Sequence, residues 1–140
     1  LIGVETRVML LAAGLVFVWA LLLGVQKYAQ ILASPNACAH PYTDIAHRAA
    51  LMYSFALLLI AAFAELSTWD WRIDLAAGLA LTTFFVAAIG SYQFQGLRQQ
   101  TDNQLRHPNG AMKGFMVALI VAEIGGFVVL LAGFVKAWMD

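Results

Sequence analysis

Long apolar stretches alternate with short polar links along this chain of 140 residues. Four sparsely charged apolar runs stand out, covering residues 8–32, 45–66, 73–97 and 114–138. Each run exceeds the roughly 20 residues with which an α-helix crosses about 30 Å of hydrocarbon. No stretch shows the alternating polarity that is typical of a transmembrane β-barrel. The pattern therefore predicts an all-α integral membrane protein, a single membrane domain with four spanning helices.

The links predict how these helices are arranged. They are short, which makes neighbouring helices antiparallel and favours an up-down-up-down four-helix bundle. In the first link Thr43 and Asp44 are candidate caps for the second helix. The second link places Trp69 and Trp71 at a bilayer surface, where indole side chains prefer to lie.

Composition and charge narrow the class of protein further. Of the residues, 62% are apolar and 11% are charged, and the eight basic and eight acidic side chains leave no formal net charge. A chain without a basic surface is not expected to bind nucleic acid. The single cysteine, Cys38, cannot form an intrachain disulfide or a thiolate metal cluster. Small residues clustered within the spans permit close helix contact, either within one chain or in a homo-oligomer.

His47 is the first candidate for chemistry, because few polar side chains occur in the spans. It lies near the start of the second helix, and a lone histidine facing an apolar cleft is a common way to hold a haem. The alternative is a histidine at a helix start that is hydrogen-bonded to loop carbonyls. His40 precedes Pro41 in the first link and His107 lies in the third, so neither is a strong partner ligand.

Two tyrosines are candidate catalytic residues. Tyr92 comes near the end of the third helix, so we expect it at the same membrane face as His47. Tyr53 follows His47 by six residues, which places it about 9 Å deeper and roughly a third of a turn around the helix. A phenol in an apolar cleft can donate a hydrogen bond to a developing oxyanion. Interfacial anchoring by Tyr92 and helix packing by Tyr53 are the structural alternatives.

Glu123 is the most conspicuous ionisable group in the spans. It follows Lys113 by ten residues, which corresponds to about 15 Å and places it near the bilayer centre. A carboxyl group there is either protonated or paired, and no basic residue occurs at a comparable depth. Its structural role would be a hydrogen bond to Thr82, Thr83 or a backbone carbonyl. Its functional role would be a proton relay or a substrate contact.

With these positions placed, the chain resembles the styrene oxide isomerase family of small four-helix membrane proteins. The resemblance runs through most of the chain, beginning with Glu5 and the sequence LLLGV at 21–25. The second helix opens with alanine and histidine at 46–47, followed by alanine and leucine at 50–51. The sequence GSYQF at 90–94 carries Tyr92, and its distance along the chain from His47 fits the family without a gap.

This resemblance implies haem b bound between the protomers of a homotrimer, with His47 as the axial iron ligand and Tyr92 in the active site. It implies a small apolar aryl epoxide as the substrate, opened by ferric iron acting as a Lewis acid and converted to an aldehyde by a 1,2-hydride shift. It also implies a bacterial cytoplasmic membrane. We expect a dry cleft lined by Phe84, Phe85, Phe94 and Tyr92.

The chain departs from the family at the substrate site. Tyr53 stands where the family has an asparagine that holds the substrate, and Phe84 and Ala88 replace an aspartate and an asparagine of the third helix. Glu123 has no counterpart in the family. The substrate site therefore differs from that of the family, and two readings stay open: an isomerase that acts on an epoxide, or a close homologue whose substrate has changed.

Two other functions are consistent with the sequence. One is a haem-binding electron-transfer or quinone-interacting membrane subunit, which would need a second axial ligand from His40 or from a partner chain. The other is a ligand-free accessory subunit of a membrane complex, in which the small residues and Glu123 serve assembly.

Overall fold

The computed structural model describes residues 1–140 and is built from four long helices. These are α1 (Val4–Ala33), α2 (Pro41–Leu66), α3 (Trp71–Arg98) and α4 (Gly110–Met139). They contain 81% of the residues, and there are no strands. The mean hydropathy of their most apolar stretches is between 1.9 and 2.7, and each helix is long enough to cross a membrane. The predicted all-α four-helix membrane bundle is confirmed.

The helices begin two to four residues before the apolar spans because polar caps lie outside the bilayer core. At α2 the Nδ1 atom of His40 accepts a hydrogen bond from the backbone N–H of Tyr42 (3.2 Å), and Pro41 occupies the first helical position. Thr43 and Asp44, which the sequence suggested as caps, therefore lie inside the first turn. Their side chains are free for contacts with α3 and α1.

The packing places α2 and α3 at the centre of the bundle. Each of these two helices contacts the other three, whereas α1 and α4 do not contact each other. Only Leu130 and Gly133 are buried along α4. Most of α4 therefore faces lipid, and α1 and α4 lie on opposite sides of the central pair.

Close approach of the helices depends on small residues at two positions that matter for the site. Gly24 of α1 lies against the imidazole of His47, and Gly96 of α3 lies against the side chain and backbone of Thr43. A side chain at either position would meet α2 directly. Both contacts are at the end of the bundle that carries the first and third links.

Candidate functional site

The imidazole of His47 is oriented by the backbone of α1. Its Nδ1 atom lies 2.9 Å from the carbonyl oxygen of Ala20. Because a carbonyl oxygen only accepts hydrogen bonds, Nδ1 carries the proton and donates it. The Nε2 atom then has a free lone pair, and it has no hydrogen-bond partner in the chain. This is the tautomer that binds a metal ion through Nε2.

A cluster of charged side chains lies one turn from His47 at the same membrane surface. Asp44 pairs with Lys27 (Nζ–Oδ1, 2.5 Å) and with Arg48 (Nη2–Oδ2, 2.9 Å). Two cations share one carboxylate, so the cluster keeps a net positive charge. The Arg48 side chain is 66% exposed and is available to an anionic group outside the chain.

An apolar groove runs along the α1–α2 face that carries His47. Ser54, Phe55 and Leu58 of α2 line a cavity of about 270 Å³ together with Phe17 of α1, whose ring packs edge-on against Phe55. Ser54 and Leu58 follow His47 at helical spacing, so they share its side of α2. His47 itself does not line this cavity and lies about 10 Å from Ser54 along the helix.

The two candidate tyrosines meet in a different cavity, between α3, α4 and the third link. Its volume is about 490 Å³, and its wall includes Tyr53, Tyr92, Phe115, Met112 and Met116. Neither phenol oxygen has a hydrogen-bond partner within the chain. Both hydroxyl groups are thus available to a molecule in the cavity.

The aromatic wall differs from the cleft that the sequence suggested. Phe85 stacks on the ring of Tyr53 with a centroid distance of 4.2 Å, and Phe84 contacts Phe115 of α4. Phe94 is exposed on the outer surface, beneath the guanidinium group of Arg98. Within one chain the expected cleft of these three phenylalanines with Tyr92 is therefore not formed, since none of the three lines the cavity that holds Tyr92.

The third link closes the polar end of the tyrosine cavity. The ring of Tyr42 stacks on Tyr92, and the Tyr42 hydroxyl accepts a hydrogen bond from the backbone N–H of Gln104 (2.7 Å). The hydroxyl of Ser91 donates to the side chain of Gln104 (3.2 Å). Gln104, Ser91 and Asn109 supply the polar groups at this end of the cavity.

His47 does not line the tyrosine cavity. Six residues at 100° each place Tyr53 about 120° around α2 from His47, so the imidazole faces α1 while the phenol faces α3 and α4. One chain therefore brings Tyr53 and Tyr92 together but leaves His47 on another face.

Glu123 lies deep in the bundle, as the sequence suggested, but without the expected partners. Its Oε1 atom is buried and has no hydrogen bond. The hydroxyl groups of Thr82 and Thr83 instead donate to the carbonyl oxygens of Gly78 (2.7 Å) and Leu79 (2.8 Å) in their own helix. A threonine in a helix readily bonds the carbonyl four residues earlier, which removes it as a partner for Glu123.

No three histidine, cysteine or acidic side chains are close enough together to hold a metal ion by themselves. His40 caps α2 and stacks on Tyr42, so it does not converge with His47. The single donor suited to an iron is the imidazole of His47 with its free Nε2, and the cations Lys27 and Arg48 lie on Asp44, one turn away along α2. His47 would hold the iron, and Lys27 and Arg48 would pair with the haem carboxylates.

A chain of hydrogen bonds near the site was not foreseen from the sequence. Trp19 Nε1 donates to Gln93 (2.9 Å), Gln93 donates to Gln26 (3.1 Å), and Gln26 donates to Thr43 (3.4 Å). This network joins α1, α2 and α3 beside His47. The sequence does mark two of its members, because Gln26 and Gln93 are polar side chains within apolar spans.

These features define an integral membrane protein of the four-helix bundle class. Searches among protein-family models, curated proteins and solved structures find no match to this chain.

Proposed function

We propose that this chain is a haem-dependent membrane isomerase that converts an apolar aryl epoxide to an aldehyde. The observation that carries the proposal is the orientation of His47. Donation from Nδ1 to the Ala20 carbonyl holds the ring in place and leaves the basic Nε2 without a hydrogen bond. The resemblance to the styrene oxide isomerase family assigns the same residue as the axial ligand.

The groups around His47 support haem b as the cofactor. The groove lined by Phe17, Phe55 and Leu58 is apolar, as the porphyrin faces require. Lys27 and Arg48 flank Asp44, one turn from His47, and they would pair with the two haem carboxylates. Ferric haem held by one histidine supplies a Lewis acid for an epoxide oxygen.

Tyr53 and Tyr92 are the residues we assign to the substrate. Their hydroxyl groups would donate hydrogen bonds to the oxygen of the epoxide, where negative charge develops as the ring opens. The apolar wall formed with Phe115, Met112 and Met116 would exclude water, which otherwise converts the opening epoxide to a diol.

We further propose that the complete site forms between protomers. His47 and the tyrosine cavity occupy different faces of one chain. A head-to-tail ring places one face of each protomer against the other face of its neighbour, which is how a homotrimer would bring these residues together. The family resemblance implies the same haem location.

An optical spectrum of the detergent-solubilised protein is the first test. The wild-type protein is expected to be red, with the spectrum of ferric haem bound by one histidine, and to convert styrene oxide to phenylacetaldehyde. His47→Ala should lose the haem, whereas His107→Ala is a matched control that should retain it. Full haem occupancy in His47→Ala would refute the ligand assignment.

The same measurements separate the other two functions. A bis-histidine spectrum would favour an electron-transfer subunit, and a colourless protein that does not take up added haem would favour an accessory subunit. Tyr92→Phe should keep the haem and slow turnover. An unchanged rate for Tyr92→Phe would remove this phenol from the mechanism.

Mixed oligomers test the site between protomers. His47→Ala and the double variant Tyr53→Phe/Tyr92→Phe should each be weakly active alone, and co-expression should restore activity, because some interfaces then contain both wild-type faces. Failure to restore activity in oligomers shown to contain both chains would place the whole site within one protomer.

A further inference from the structure

The fourth helix carries an unpartnered carboxyl group near the middle of its length. Glu123 follows the first residue of α4, Gly110, by 13 positions, or about 20 Å along a helix about 45 Å long. Its Oε1 atom is buried and accepts no hydrogen bond. A buried polar atom without a partner is costly, and more so in a membrane, so such atoms are rare unless they bind something.

This carboxyl group lines a cavity of about 350 Å³ between α2, α3 and α4. Ile60, Leu81 and Phe85 form the inner wall. At the outer edge Leu59 and Ile124 are more than half exposed to the surroundings of the bundle, which for this chain are lipid. A small molecule dissolved in the bilayer can therefore reach Glu123 from the side, between α2 and α4.

No cation of the chain is available to Glu123. The segments 49–64 of α2, 75–97 of α3 and 114–135 of α4 contain no lysine, arginine or histidine. The titratable groups within electrostatic range of Glu123 on the neighbouring helices are the phenols of Tyr53 on α2 and Tyr92 on α3. The helix that carries Lys27 and Arg7, α1, does not contact α4.

Aromatic rings surround the same space. Phe85 lines the cavity and stacks on Tyr53 (4.2 Å between centroids), and Phe127 lines it from α4. The faces of aromatic rings attract organic cations, most strongly where water is excluded. An acid without a basic partner, placed among such rings, matches an ammonium group better than it matches a neutral alcohol.

We propose that the Glu123 cavity binds a small lipophilic organic cation of the aryl-alkyl ammonium class. The neutral acid form of Glu123 releases its proton to the solvent, and the ammonium group of the ligand pairs with the resulting carboxylate. One proton is released for each cation bound, and the charge inside the bundle stays balanced. This site is separate from His47, and its occupancy does not depend on haem.

Binding of a matched pair of probes tests the proposal. Protonated 2-phenylethylamine and neutral 2-phenylethanol have nearly the same shape, and each is titrated calorimetrically into the full chain in lipid nanodiscs in two buffers of different ionisation enthalpy. The amine should bind the wild-type protein about tenfold or more tightly than the alcohol and should release a proton. Glu123→Gln should lose this preference, whereas Asp102→Asn, the same charge change on the third link, should keep it.

Equal binding of amine and alcohol to the wild-type protein, or an undiminished amine preference in Glu123→Gln, would overturn the proposal. A second measurement uses only the wild-type protein and so does not depend on the folding of a variant. Dicyclohexylcarbodiimide adds to protonated carboxyl groups in apolar surroundings, and mass spectrometry locates the adduct. We expect labelling at Glu123 that the amine blocks and the alcohol does not, and labelling unaffected by the amine would contradict the site.

Discussion

The contact between Gly24 and His47 gives the sharpest prediction about the imidazole. A Cβ atom at position 24 would lie 3.0 Å from Cε1 of His47, 3.5 Å from Nδ1 and 3.6 Å from Nε2. Gly24→Ala should therefore move the ring by roughly half an ångström to reach ordinary van der Waals distance. The 2.9 Å hydrogen bond to Ala20 would lengthen or bend as a result.

The effect on folding should be small although the effect on the site is large. Weakening this hydrogen bond lowers the free energy of unfolding by at most about 0.5–1.5 kcal/mol. Replacing glycine by alanine in a helix interior stabilises the helix by about 0.5–1 kcal/mol. We therefore expect the free energy of unfolding of Gly24→Ala to stay within about 1 kcal/mol of the wild-type value. Disturbing a group that orients a metal ligand typically lowers affinity by about 10- to 100-fold, and we expect a loss of that size for haem.

Two measurements check this prediction, with Gly114→Ala as the control. A Cβ at Gly114, on α4, meets no atom within 4 Å, and Gly114 lines neither the groove nor the tyrosine cavity. Nitrogen NMR of protein labelled with 15N-histidine reports the position of the imidazole proton without any cofactor, and absorbance titration reports haem affinity. If Gly24→Ala and Gly114→Ala gave the same His47 resonances and the same haem affinity, the close contact between this ring and α1 would be refuted.

The other predictions concern the packing that holds the site. Gly96→Ala should lower the free energy of unfolding by about 1–3 kcal/mol, because its Cβ would meet both the side chain and the backbone of Thr43, which cannot move aside cheaply. Gln93→Leu should lower the free energy of unfolding by about 1–3 kcal/mol, because Trp19 Nε1 loses its hydrogen-bond acceptor. The fluorescence of Trp19 should change as well. Thr6→Val should cost about 1 kcal/mol, since this buried hydroxyl donates to a carboxylate of α2. Thermal unfolding in detergent measures all three.

Two of these variants, Gly96→Ala and Gln93→Leu, have an internal comparison. Gly110→Ala adds a methyl group in open space, so it should not reproduce the loss seen at Gly96. Gln99→Leu changes the same residue type in the third link and should leave the emission of Trp19 unchanged. If Gly96→Ala and Gly110→Ala were equally stable, the close approach of α2 and α3 at Thr43 would be wrong.

The spans and their number could be read directly from the chain, because the free energy of placing a segment in a bilayer is a sum over consecutive residues. The depth of Glu123 follows from the same arithmetic, since a helix rises by a constant amount per residue. The helix ends are harder to predict. The start of α2 depends on the side chain of His40 accepting a backbone hydrogen bond, which apolar content does not reveal.

Which residues meet was decided by tertiary structure. Lys27 and Asp44 pair because α1 and α2 pack at a particular rotation, and Tyr53 and Tyr92 share a cavity because α4 packs on the other side of α2. His47 is close to Tyr53 along the chain yet faces a different helix. Helix rotation is set by the fit between side chains that are far apart along the chain, such as Gly24 against His47, so no local pattern specifies it.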